Sequence, residues 1–175
     1  QFLPKAKAQA GYGIFAYLHF ATQGISIAKT PGEKQAHLRI CEDVLDRVFK
    51  HQEEHFLYDF EMAFEQAITR YCIPKNLFHD FIVGLVLDSH FKQPTDEGEL
   101  LNYCYHTAGS ISLILGTILG SSRPISEQLV ALATGIRLTQ IASQLKENTL
   151  AGRLFLPETW LADEGLSTAD YLNVK

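Results

Sequence analysis

The stretch ELLNYCYHTAGSISLILGTILG, Glu99 to Gly120, decides what kind of protein this is. It opens on polar residues, passes through the aromatic pair Tyr103 and Tyr105, and ends in the apolar segment AGSISLILGTILG, Ala108 to Gly120. That segment falls well short of the ~20 residues needed to cross a bilayer, so it predicts a helix buried in a protein core. The GSSRP that follows supplies the stop signal.

The same helical period runs outward in both directions. Cys41, Val44, Leu45, Val48 and Phe49 recur at i, i+3, i+4, i+7 and i+8, the stripe of an amphipathic helix from about Glu33 to Lys50. Phe56, Phe60, Ala63, Ala67 and Tyr71 mark the next helix, which must stop before Pro74. NLFHDFIVGLVLDSHF, Asn76 to Phe91, is a third, and a long helix is expected from Ser126 to Asn148 beyond the opening stretch. Pro4 to about Ala28 reads as helix too, weakened by Gly11, Gly13 and Gly24. With no alternating strand pattern and no internal repeat, the expected fold class is all-α, in one domain over residues 1–175.

Composition narrows the function. The chain has 175 residues, 46% apolar and 20% charged, which suits a globular domain with a sizeable core. Its net charge of −5, with no Lys/Arg cluster, argues against a nucleic-acid partner. Cys41, Cys72 and Cys104 form no C-x-x-C pair and read as reduced core residues of a cytoplasmic protein. The N-terminus has no signal-peptide pattern and no initiator Met, so neither end is expected to be a natural terminus.

Two helices carry polar stripes. His19, Thr22, Gln23 and Ser26 share a face of the first, and Arg137, Gln140, Gln144 and Glu147 a face of the fifth. These are either solvated surfaces or two facing walls of one cavity, and periodicity leaves both open. HQEEH, His51 to His55, matches the H-x-x-E-H pattern of zinc peptidases. It falls between a helix ending at Lys50 and one beginning at Phe56, where the two imidazoles lose their one-turn spacing, so it reads as a polar turn.

The chain resembles the squalene/phytoene synthase family, the head-to-head isoprenyl diphosphate synthases. The resemblance rests on FLPKAKAQAGYGIFAYLHFA, RYCIPKNLFHDFIVGLVLD, ELLNYCYHTAGSISLILG and AGRLFLPETWL, in that order. YCYHTAG stands at the family's Y-C-Y-x-V-A-G and GRLFLP at its G-R-I-Y-L-P, and the chain covers roughly the first two-thirds of a typical member. What the resemblance implies is a terpenoid synthase-like helical bundle around a central apolar cavity, with two aspartate-rich motifs holding Mg²⁺ against a diphosphate. Those carboxylates are where this sequence departs. The family's D-D-x-x-D is here Thr22, Gln23, Gly24, Ile25, Ser26, and its D-x-x-E-D is Gln144, Leu145, Lys146, Glu147, Asn148. His19, Arg137 and Gln140 replace an Arg, a Gln and an Asn, and Val83 replaces the Asp before Gly84.

The resemblance therefore implies substrate-binding positions at Tyr103, Thr107, Ala108, Ile111, Gln140 and Arg153, with Asp88 and Glu147 the remaining weak candidates for a metal. The preferred reading is a non-catalytic, isoprenoid-binding protein or partner subunit of isoprenoid metabolism that uses no cofactor. The alternative is an active Mg²⁺-dependent prenyltransferase that condenses two isoprenyl diphosphates. The expected partners are an isoprenoid or isoprenyl diphosphate, a second copy or second chain covering an open side, and at most the surface of a membrane.

Overall fold

The computed structural model describes residues 4–120 and 123–173. Among the described residues ten α-helices follow one another: α1 Lys5–Ile27, α2 Pro31–Phe49, α3 Glu61–Tyr71, α4 Lys75–Ser89, α5 Glu97–Cys104, α6 Ser110–Leu119, α7 Arg123–Ser143, α8 Leu145–Leu150, α9 Glu158–Asp163 and α10 Thr168–Asn173. A short 3₁₀ turn spans Glu53–His55 and a π turn, Tyr105–Gly109, joins α5 to α6. The described residues contain no strand, and none of their helices is long and apolar enough to cross a membrane.

The helix ends show what the apolar count does not see. α2 starts at Pro31, ahead of the expected Glu33, because the Thr30 hydroxyl accepts the Glu33 N–H and the Glu33 carboxylate accepts the N–H of Thr30. α3 starts at Glu61, well after Phe56. Tyr58 and Phe60 are used instead against Phe20 of α1, at ring distances of 4.7 and 5.2 Å. Glu61 holds that loop closed: it is fully buried and accepts from the Leu57 and Tyr58 N–H groups at 3.0 and 3.1 Å and from Arg47 at 2.8 and 3.1 Å. A buried carboxylate is tolerated when its lone pairs are satisfied in this way.

The main core lies where α1 crosses α3, α2 and α4. Tyr17 is its centre, stacked on Phe64 at 4.5 Å, edge-on to Phe78 at 5.8 Å, and donating its hydroxyl to the Cys41 carbonyl. α1 and α3 approach so closely that a Cβ on Gly13 would stand 2.5 Å from the Ala63 carbonyl oxygen. A second, smaller core of Leu100, Tyr103, Cys104, Ile141 and Phe155, backed by Leu87, Phe91 and Leu138, sits under the site described below.

Several expectations are corrected. The expected continuous fourth helix is broken by the π turn, which inserts an extra residue and offsets the faces on either side. The long fifth helix ends at Ser143, and Gln144, at φ −107° and ψ 17°, separates it from α8. Cys72 is not a core thiol; it is exposed at φ 49° and ends α3. HQEEH is the polar turn expected: His51 sits at φ 53° with Nδ1 2.6 Å from Glu65, and His55 lies in the 3₁₀ turn. α9 and α10 were not foreseen: each is six residues long, too short to show a period. They are tied to the segment after α4 by the Glu158 N–H to the Pro94 carbonyl at 2.9 Å and the Thr168 hydroxyl to Gln93 at 2.8 Å.

Candidate functional site

The ends of α4 and α5, the last turns of α7 and the segment after α8 converge on one polar cluster. Asp88 is its hub. Tyr103 donates its hydroxyl proton to Asp88 Oδ1 at 2.7 Å, Arg153 donates to the same oxygen, and Arg137 Nη2 donates to the Tyr103 hydroxyl oxygen at 2.7 Å. The arginines are also stacked. Arg153 Cζ lies 4.8 Å from the Phe91 ring and 5.3 Å from Phe155, and Arg137 Cζ lies 5.4 Å from Tyr103.

Local backbone features aim these groups. Gly152, at φ 76°, turns the chain out of α8 so that Arg153 points back to α4. Gly84, one turn before Asp88, lets α4 lie against the π turn: a Cβ there would be 2.4 Å from the His106 carbonyl oxygen. A second clamp, the Tyr105 hydroxyl to Asp80 at 2.7 Å, fixes the same contact.

The electrostatics follow from this packing. Burial works to raise the Asp88 carboxyl, but the hydrogen bonds from Arg153 and Tyr103 and the charges of both arginines outweigh it and hold it below the usual carboxylate range. Tyr103 is pushed up to about 12, first by burial and then by Asp88. Beside the cluster is a cavity of about 210 Å³, walled by Asp88, Arg137, Arg153, Gln144 and Asn148, with Ile141 and Phe155 on its apolar side.

Of the residues singled out from the sequence, Tyr103, Arg153 and Asp88 come together here, and Gln144 and Asn148 line the cavity beside them. Gln140 and Glu147 are exposed and are not part of its wall. Thr107 and Ala108 are half-buried in the π turn, with the Thr107 hydroxyl bonded back to the Tyr103 carbonyl, while Ile111 packs on the main core. The two polar stripes line different cavities. His19 and Gln23 face a groove shared with His37, Tyr58 and Asp59, and Thr22 and Ser26 are exposed. A third groove, about 320 Å³ and mostly apolar, runs between α1 and α6, along Tyr12, Phe15, Leu115 and Leu119.

Sequence reading missed the pairing of Arg137 with Tyr103. The signal was present as Arg137, Ile141, Gln144 and Asn148 at i, i+4, i+7 and i+11, a face adjacent to the one chosen. This donor set does not fit a divalent cation. Mg²⁺ is held by carboxylate oxygens, and here the one carboxylate in the wall is engaged by Arg153 and Tyr103, with two guanidinium groups beside it. Among the described residues no three His, Cys, Asp or Glu side chains are grouped to hold a metal.

An all-α bundle with an apolar groove and a separate cluster of guanidinium, phenol and carboxylate belongs with the terpenoid synthase-like folds. The chain is a member of the squalene/phytoene synthase family, whose model matches residues 1–175. The 15-cis-phytoene synthase of Enterobacter agglomerans is 32% identical over 106 residues, covering 60% of this chain and 36% of that protein. That of Synechococcus elongatus is 28% identical over 184 aligned positions, covering 98% and 59%. In fold, the squalene synthase of Alicyclobacillus acidocaldarius superposes with a TM-score of 0.84 at 18% identity, covering 97% of this chain and 63% of that one. The matched region thus amounts to 36% to 59% of the length of the two phytoene synthases.

Proposed function

We propose that this chain is a squalene/phytoene synthase-like protein of isoprenoid metabolism that binds an isoprenoid, or serves as a partner subunit, without condensing two isoprenyl diphosphates. The observation that carries this reading is the occupancy of Asp88. Of the side chains walling the polar cavity it alone is a carboxylate, and it is engaged by Arg153 and Tyr103, while Gln144 and Asn148 present uncharged carboxamides where the second metal motif would fall. Ionising a diphosphate leaving group needs cations to neutralise the developing charge. Losing a single group that stabilises charge in a transition state typically costs ~10²–10³ in rate, and several are replaced together here.

Binding is left to the apolar groove between α1 and α6, where Tyr12 and Phe15 are 76% and 53% exposed. Burial against such surface contributes about 25 cal/mol per Å². The same exposed face suits a second chain or the surface of a membrane, with the protein itself in the cytoplasm. The test is incubation of the purified protein with labelled farnesyl or geranylgeranyl diphosphate and Mg²⁺. No head-to-head product and no pyrophosphate is expected. Product formation abolished by EDTA would overturn the reading in favour of an active prenyltransferase.

A further inference from the structure

We propose that the groove between the second half of α1, the first half of α2 and the Tyr58–Phe60 segment binds the alkylated ammonium group of a soluble small molecule. It shares no lining residue with the polar cavity or with the apolar groove between α1 and α6. Of the three positions that stand for the first motif's aspartates, Thr22 and Ser26 lie outside its wall.

The wall is aromatic. Phe20 is the shared ring, 5.0 Å from His37, 4.7 Å from Tyr58 and 5.2 Å from Phe60, and tilted by 51°, 50° and 46° to them. All four rings are half-buried, and they line a space of about 610 Å³, in the size range of small-molecule sites. They are also set in place before any ligand arrives. The His37 ring fills a notch at Gly24, where a Cβ would stand 2.1 Å from it, and its Nε2–H donates to the Phe20 carbonyl at 3.1 Å. Phe60 reaches the core ring of Tyr17 at 6.5 Å, and the Tyr58 N–H is held by the buried Glu61. A preset wall loses little freedom on binding.

Charge decides what such a wall takes. Aromatic faces are negative and attract cations. Asp59, exposed at the groove, makes no ion pair among the described residues, so its carboxylate is open to a ligand. No described lysine or arginine lines the groove. Arg47, whose charge reaches Tyr58, is paired with Glu61 and is not in the wall. The basic groups that do line it are His19, exposed, and His37, already bonded to Phe20.

The kind of cation follows from the donor set. A divalent ion or a bare ammonium needs several oxygen ligands in place of its water, and Asp59 with the Gln23 carboxamide falls short of that. An alkylated ammonium spreads its charge over carbon-bound hydrogens, and rings beside one carboxylate suit it. The groove has room for the whole of a molecule the size of choline, which favours a soluble ligand over a headgroup anchored in a bilayer.

The test is titration of the isotope-labelled protein with choline, followed by amide chemical shifts, at about pH 8, above the ordinary imidazole range. Dimethylbutanol, the uncharged carbon isostere of choline, is titrated in parallel. Saturable shifts centred on Gly24 and Tyr58–Phe60 are expected, with choline bound at least about fivefold tighter than the isostere. Tyr58→Leu, which stays apolar but loses the ring face, should weaken choline about fivefold, and Tyr58→Phe should stay within about twofold of the wild type. Asp59→Asn, at an exposed and unpaired side chain, should weaken choline about threefold without lowering the melting temperature, so the test stands even where Tyr58→Leu fails to fold. Equal affinity for choline and its isostere overturns the proposal, as does choline binding unchanged in Asp59→Asn and in Tyr58→Leu. No saturable shift at these amides up to about 100 mM choline, enough to fill a site of millimolar strength, overturns it too. Retention on phosphatidylcholine vesicles without binding of free choline overturns the soluble ligand and assigns the groove to a membrane surface.

Discussion

Gly84→Ala reaches the site through the backbone and should be the most informative single change. A Cβ at residue 84 would lie 2.4 Å from the His106 carbonyl oxygen and 2.8 Å from its carbon. An ordinary C···O contact is about 3.3 Å, so α4 and the π turn would have to part by roughly 0.9 Å. The atoms met are backbone and cannot swing aside. Overpacking of this kind costs ~1–3 kcal/mol. The same opening would stretch the 2.7 Å bond between Tyr103 and Asp88 beyond hydrogen-bond range, at about 1 kcal/mol more for a partly exposed pair. Replacing a helical glycine by alanine returns ~1 kcal/mol, which leaves a net loss of about 2 kcal/mol. With a urea slope of about 2 kcal/mol per molar, the unfolding midpoint should fall by about 1 M. Gly135 of α7 has no atom within 4 Å of a built Cβ, so Gly135→Ala is the control and should hold or raise the midpoint. A Gly84→Ala midpoint at or above the wild-type value would refute the close approach that places Asp88 against Tyr103.

Glu61→Gln keeps the shape of the buried clasp but removes the charge opposite Arg47, and should cost about 3 kcal/mol, the low end for breaking a buried pair, read as a lowered melting temperature. A variant melting with the wild type would mean that something else holds the loop before α3. Tyr103 and Tyr105 are both pushed up to about 12, by burial first and then by Asp88 and Asp80. Their folded values lie above the ordinary ~10, so the stability tied to the neutral phenols is complete below pH ~10 and is lost as pH climbs from ~10 to about 12. Absorbance at 295 nm should therefore show late-ionising phenols, one fewer in Tyr103→Phe; all seven tyrosines titrating in one step near 10 would contradict this.

Much of the fold was legible because helices declare themselves by period. The α2 stripe of Cys41, Val44, Leu45 and Val48 is buried as the spacing requires. Boundaries were less legible where side-chain hydrogen bonds set them, at Thr30 ahead of α2 and at Glu61, the first residue of α3. The π turn was invisible for a related reason. An extra residue in a helical turn leaves composition unchanged while rotating the faces, so Thr107, Ala108 and Ile111, expected together as substrate-binding positions, have different surroundings. In the site, Asp88, Tyr103 and Arg153 were legible one by one from the resemblance. Their meeting was not, since they lie 15 and 65 residues apart, and the partner of Tyr103, Arg137, stood out only as a replacement.

On the proposed function, the polar cavity does not hold divalent cations. Manganese(II) titrated against the protein, first alone and then with inorganic pyrophosphate, is followed by the electron paramagnetic resonance of the free ion. The protein is expected to withdraw no manganese beyond what pyrophosphate withdraws without it. Stoichiometric, protein-dependent loss of the free-ion signal in the presence of pyrophosphate, relieved by Asp88→Asn, would contradict it.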